Sequence, residues 1–162
     1  MEAASAGEQS LAIIRESRTG VSDEAFKVLG LAEVYLHQGK ASLARATAEE
    51  AIALARRHHA RLAECYAHLA LARVLLGTEG ARGASAIASA LARALALAEE
   101  TGAAAAEPFI RLEEARLAQA TGDEVTRQRK LGAAQRLFTT IGAPLRAEQV
   151  ARELGQGWRR NA

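Results

Sequence analysis

One short apolar phrase recurs at a near-constant distance. Residues 51–55 read Ala-Ile-Ala-Leu-Ala and residues 94–98 read Ala-Leu-Ala-Leu-Ala. The same slots are filled at Ser10-Leu11-Ala12-Ile13-Ile14 and at Ala134-Gln135-Arg136-Leu137-Phe138, with successive offsets of 41, 43 and 40 residues. Each phrase ends in a break, after which a new segment opens with acid, at Asp23-Glu24, Glu64, Glu107 and Glu148. A unit of this length holds two helices and cannot bury its apolar face alone. Copies must stack on one another, which predicts an all-α solenoid of antiparallel hairpins.

Composition agrees with helices. The chain has 162 residues, 49% of them hydrophobic and only 4% aromatic, so its core must be built from Ala, Leu, Ile and Val. Alanine has the best helix propensity and lets helices approach closely. Two prolines and few clustered β-branched residues argue against a sheet. Glycines stand just past apolar-periodic runs at Gly20, Gly39, Gly77, Gly102, Gly122, Gly142 and Gly155, where a helix favours a left-handed residue. Pro108 and Pro144 fit helix starts, and Ser22, Ser85 and Asp123 fit N-caps. These signals predict about eight helices, near 3–18, 22–38, 41–58, 60–76, 84–101, 103–121, 123–140 and 143–154. They form one domain over 1–155, with hairpins near 22–58, 60–101 and 103–140, flanking helices at 3–18 and 143–154, and a disordered tail at 156–162. The segment 77–85, Gly-Thr-Glu-Gly-Ala-Arg-Gly-Ala-Ser, reads as a plain flexible connection.

Charge and cysteine content exclude several function classes. Net charge is +2, and acids interleave with bases as on a solvated helical surface. That pattern disfavours a dedicated nucleic-acid domain. Arg127, Gln128, Arg129 and Lys130 spread around a helix instead of forming a stripe, and the end Trp158-Arg159-Arg160-Asn161-Ala162 reads as a frayed terminus. A single cysteine, Cys65, precludes an internal disulfide framework and suits a reducing compartment. It lies mid-helix among apolar residues, with no basic cluster to activate it, and reads as a core thiol. No apolar run is long enough to span a membrane, and the first ten residues lack the pattern of a signal peptide. A cytoplasmic protein is expected.

The histidines are His37, His58, His59 and His68. Adjacent His58 and His59 diverge on a helix, and the others have no partner at ligand spacing, so all four read as surface or interface residues and no metal is expected. The glycines of 77–83 lack the Gly-Lys-Ser/Thr ending of a phosphate loop and no strand precedes them. No acid–base or nucleophilic constellation emerges. The expectation is a non-enzyme without a cofactor.

Leu31, Ala32, Tyr35, Gly39, Ala44 and Ala51 occupy slots that resemble those of the tetratricopeptide repeat. Around Gly77 the slots are matched by Leu69, Ala70 and Ala94, but Arg73 stands where the family has Tyr and the loop is five residues longer. Around Gly122, Ala115 and Ala134 match while Glu114, Ala118 and Arg127 depart. Residues 133–155 look like the closing segment of tetratricopeptide arrays in large bacterial regulators, among them adenylate and guanylate cyclases and LuxR-type ATP-dependent activators. On that likeness the chain is expected to be the C-terminal part of a longer protein.

The resemblance implies a right-handed superhelix whose first-type helices line a concave groove. Its groove positions would be Phe26, Leu29, Glu33, Leu36 and His37 in the first hairpin, then Glu64, Ala67, Leu71, Val74 and Leu75, then Phe109, Leu112, Arg116, Gln119 and Ala120. An apolar groove of this kind implies a protein or peptide partner, in a sensory or scaffolding role within a signalling protein. Self-association through the ends of the array is the competing expectation. Nucleic-acid binding in a transcriptional activator is the third, and a small-molecule effector in the groove is a variant of the first.

Overall fold

The computed structural model describes residues 21–160, with side chains over 24–155. These residues form α1 (Val21–His37), α2 (Ala41–Arg57), α3 (Arg61–Glu79), a 3-10 turn (Gly80–Gly83), α4 (Ala84–Thr101), α5 (Glu107–Thr121), α6 (Glu124–Thr140) and α7 (Pro144–Arg160). The described chain is all helical, but with fewer helices than the eight expected. The helix expected at 3–18, the first copy of the repeated phrase and Gly20 lie outside the described residues.

Local chemistry sets most boundaries. α5 ends in a left-handed Gly122, φ 78°. There the Gly122 N–H donates to the Gln119 carbonyl at 3.2 Å and the Asp123 N–H to the Ala118 carbonyl at 2.8 Å. These two bonds satisfy carbonyls that the helix itself leaves open. Asp123 then caps α6, its carboxylate accepting from the Thr126 N–H at 2.9 Å. The turn between α2 and α3 uses the same geometry with His59 at φ 54°, the one non-glycine residue with positive φ among those described. His58 and His59 are therefore turn residues.

Three helix ends differ by more than one residue from the sequence reading, and two expected caps fall inside helices. α3 runs through Gly77 to Glu79, and Gly80, φ 56°, ends it. A helix interior tolerates one glycine at a cost of about 1 kcal/mol. Here the missing side chain also has a use, because a Cβ on Gly77 would meet Leu36 at 3.2 Å. The segment 77–85 is accordingly no loose connection: helix, 3-10 turn and α4 follow directly, and Gly83 is buried against Glu79. α5 begins at Glu107 instead of 103, since the Pro108 ring would clash with a preceding helical turn. Ser85 lies inside α4, whose N-cap is Gly83, and Ser22 lies inside α1. α7 continues past 154 to Arg160, so 156–160 is helical where a disordered tail was expected. Gln and Arg are strong helix formers and carry the helix past Gly155 and Gly157.

Packing is segmental. Each helix contacts its neighbours in sequence; beyond that, α1 touches α3 and α3 touches α5, while α2, α4 and α6 do not touch one another. One core joins α1, α2 and α3 through Val28, Leu31, Tyr35, Ile52 and Val74. A second joins α3, α4 and α5 through Leu69, Leu75, Ile87, Leu91, Leu97 and Ile110. A third joins α5, α6 and α7 through Leu131, Phe138 and Val150. Ala44, Ala48, Ala51 and Ala55 are fully buried along one stripe of α2, and Ala44 and Ala51 share the first core with Leu31 and Tyr35. Fully burying each large side chain contributes about 1.5–3 kcal/mol. None of the described helices is long and apolar enough to cross a membrane.

Candidate functional site

α1, α3 and α5 stand side by side, and α7 adds Arg146. Between them lies an open cavity of about 890 Å³. Glu33, Leu36 and His37 of α1 line it, as do Phe109, Leu112, Arg116, Gln119 and Ala120 of α5. These are groove positions expected from the sequence. The middle helix contributes Arg73, Leu76 and Gly77 in place of Leu71, Val74 and Leu75. Val74 and Leu75 are core residues, and partly buried Leu71 packs between the first two cores. Ala67 is buried in the first core. The expected register of α3 is therefore wrong, because Gly77 was taken as the end of a helix that runs further.

The first-helix expectations split along the axis. Leu29 packs on the first core away from the cavity. Phe26 is 39% exposed, its ring 6.1 Å from that of Tyr66, and does not line the cavity. Phe109 does, with its ring edge-on to buried Phe138 at 5.1 Å and the Arg146 guanidinium 6.0 Å from its centroid. Phe26 and Phe109 thus have different surroundings and do not share one concavity.

The centre of the cavity is ionic. Arg73 donates to Glu33 at 2.7 Å and to Glu113 at 2.8 Å, and Arg116 donates to Glu113 at 2.7 Å. Glu113 is 2% exposed, so it needs these partners. Burial opposes the charge on Arg73, but Glu113 and then Glu33 outweigh it and hold the guanidinium more firmly protonated. Glu33, Arg73 and Glu113 are spaced 40 residues apart along the sequence. They lie on α1, α3 and α5 and form one ion-pair chain across the three helices. Arg73, Leu76, Glu113 and Arg146 were missed from the sequence. The available signal was Arg73 itself, a cation with an acid 40 residues away on either side.

Glu64, expected in the groove, is elsewhere. It is 1% exposed and accepts from Arg56 at 3.0 Å, Arg61 at 3.2 Å and Arg93 at 3.3 Å. Burial resists its ionisation, yet the three arginines prevail and hold the carboxyl below its ordinary range. His68 lies beside it, 8% exposed, its Nε2 3.4 Å from Arg56. It is buried within the described chain, where a surface or interface histidine was expected. Burial first, then the charge of Arg56, lowers its pKa to about 4.

Cys65 is fully buried, its thiol donating to the Ala94 carbonyl at 3.2 Å, and burial raises its pKa to about 11. It is an inert core thiol, as the sequence suggested. Among the described residues no three His, Cys, Asp or Glu side chains are grouped to hold a metal.

The basic stretch on α6 does not spread evenly. Arg127 pairs with Glu124 at 2.9 Å, but Arg129 and Lys130 join Arg136 and Arg111 around a second cavity, of about 390 Å³. A third cleft, of about 560 Å³, runs beside α7 along Pro144, Ala147 and Ala151.

No protein-family model matches the chain, and no curated protein matches it. The functional reading therefore rests on the residues and their geometry.

Proposed function

We propose that the chain is a binding module, a tetratricopeptide-like right-handed solenoid that takes an amphipathic helical segment of a partner protein in the α1–α3–α5 cavity. The observation that carries this reading is the cavity itself: about 890 Å³, with Leu36, Leu76, Phe109 and Leu112 as apolar patches and Arg73, Arg116 and Arg146 around them. An amphipathic helix anchors apolar side chains at i, i+3/i+4 and i+7 on such patches and offers its polar groups to the charges between them. The contacts among α1, α3 and α5, absent among α2, α4 and α6, favour a curved array with the odd helices on the inner side. The likeness of 133–155 to arrays of bacterial regulators favours a sensory or scaffolding role in a cytoplasmic signalling protein. The reading needs no catalytic step and no cofactor.

Panning a library of displayed helical peptides on the chain tests it. Enriched sequences should lose binding to an Arg146→Glu/Gln119→Ala variant of unchanged melting temperature. Peptides that bind this variant as well as the parent would refute the groove as the binding site.

Self-association is a second reading, favoured by Leu145 at 76% and Val125 at 82% exposure and by the cleft along α7. Light scattering that finds a strict monomer at high concentration rejects it.

A further inference from the structure

The α5–α6 cleft shares no lining residue with the groove. Four cations surround it, Arg111, Arg129, Lys130 and Arg136. Two carboxylates oppose them. Arg111 is held between Glu107 at 2.8 Å and Glu114 at 3.1 Å, and Glu114 also takes Lys130 at 2.6 Å. That arrangement is neutral and fixes Arg111 and Lys130 in place. Arg129 and Arg136 make no ion pair among the described residues, although Arg129 feels the field of Asp123, whose carboxylate is engaged in capping α6. Four cations against two carboxylates leave a surplus of two positive charges. The two free arginines are seven residues apart on one helix, roughly 10 Å along its axis, with Ala133 between them. Ala133 and Leu137 supply an apolar patch to the same cavity.

We propose that this cleft is a second binding site, for a small organic phosphate monoester. Charge selects the head group. A phosphate monoester is a dianion near neutral pH, since its second pKa is about 6, and so matches a surplus of two. A carboxylate would neutralise only one of the two charges. Guanidinium forks meet phosphate oxygens in pairs, which suits Arg129 and Arg136 closing from either end. The volume sits in the range of small-ligand pockets, and the Ala133–Leu137 patch receives the apolar part of the ester. An extended nucleic acid fits worse, because Arg127 is already paired with Glu124 and Glu107 lines the cleft.

The test is a titration of the isotope-labelled full chain, followed by amide NMR. Phenyl phosphate stands for the proposed ligand, inorganic phosphate lacks the apolar part, benzoate lacks the second charge, and a twelve-nucleotide oligothymidine represents nucleic acid. Phenyl phosphate should saturate shifts around Arg111 and residues 129–137, at least tenfold tighter than benzoate and several-fold tighter than inorganic phosphate. Its affinity should weaken below about pH 6 as the ester becomes a monoanion. Arg129→Gln/Arg136→Gln should lose at least tenfold with an unchanged melting temperature, whereas Arg152→Gln on α7 should bind as the parent does. The proposal is overturned if no shift saturates, if the double variant binds equally, or if benzoate or inorganic phosphate matches phenyl phosphate. Tighter binding of the oligothymidine with a log–log salt slope steeper than about −2 overturns it in favour of a nucleic-acid surface.

Discussion

Two carboxylates among the described residues are almost completely buried, and they do different work. Glu64 receives three arginines, from α2, α3 and α4, and lies outside the groove. Glu113 receives two, Arg73 and Arg116, and lines the groove. Glu64 stitches α2, α3 and α4 together, and its arginines point their surplus charge to water. Glu113 shares Arg73 with Glu33 across three helices, and Arg116, 58% exposed at the side chain, can exchange its partner for a ligand. Burial alone therefore does not mark a functional charge. Under the proposed function the groove separates them, since Glu113 and its arginines line it and Glu64 does not.

The largest expected effect tests the structural member. Glu64→Ala should destabilise the fold by about 3 kcal/mol, the low end for breaking a buried pair, because the orphaned arginines are partly solvated. Chemical denaturation would measure it, and binding of groove peptides by the folded variant should not change. Equal losses of stability and affinity would erase the distinction.

Acid should act on the same region. His68 has its pKa lowered to about 4 in the fold, against 6.5 when unfolded. Between these values the unfolded chain binds the extra proton and the folded chain does not, so stability falls as pH falls from about 6.5 to 4. The shift corresponds to a loss on the order of 2–3 kcal/mol. Glu64, with its folded pKa also lowered, adds a further loss below about pH 4.5. Melting curves of His68→Gln should lack the first part of this slope; a slope unchanged by that substitution would assign it elsewhere.

Arg73→Met keeps most of the buried stem and removes the bridge between Glu33 and Glu113. Stability should drop by about 1–2 kcal/mol, since Glu113 keeps Arg116, and groove peptides should bind at least several-fold more weakly. The smallest stability effect belongs to Arg116→Gln, about 1 kcal/mol in thermal melts, since Glu113 keeps Arg73. If that variant binds groove peptides as the parent does, Glu113 is no more functional than Glu64.

Helix existence was legible in the chain because its signals are local. Gly39, Gly102, Gly122 and Gly142 all adopt positive φ, Asp123 caps α6, and Pro144 opens α7. The end of α3 was not legible. Gly77 carries the same sequence signal as the other glycines, but its helix continues because Leu36 packs where a side chain would project. That one misplaced end moved Leu71, Val74 and Leu75 into the expected groove and hid Arg73 and Leu76. The ionic centre was harder still, since it joins residues on three helices through contacts that hydrophobic periodicity does not encode. The α5–α6 cleft was missed for a related reason: the stretch 127–130 looks dispersed on its own helix, and only Arg111 and Arg136 turn part of it into a cavity.

Cys65, the single cysteine of the chain, gives the protein a built-in clock for its own opening. Its thiol bonds the Ala94 carbonyl where α3 meets α4, with burial holding the pKa near 11. A thiol-reactive dye can capture it only after these two helices part. When closing outpaces the dye, the labelling rate is the intrinsic thiol rate multiplied by the opening constant. Ordinary chromogenic reagents would then report the free energy for parting α3 from α4, without any substitution in the molecule.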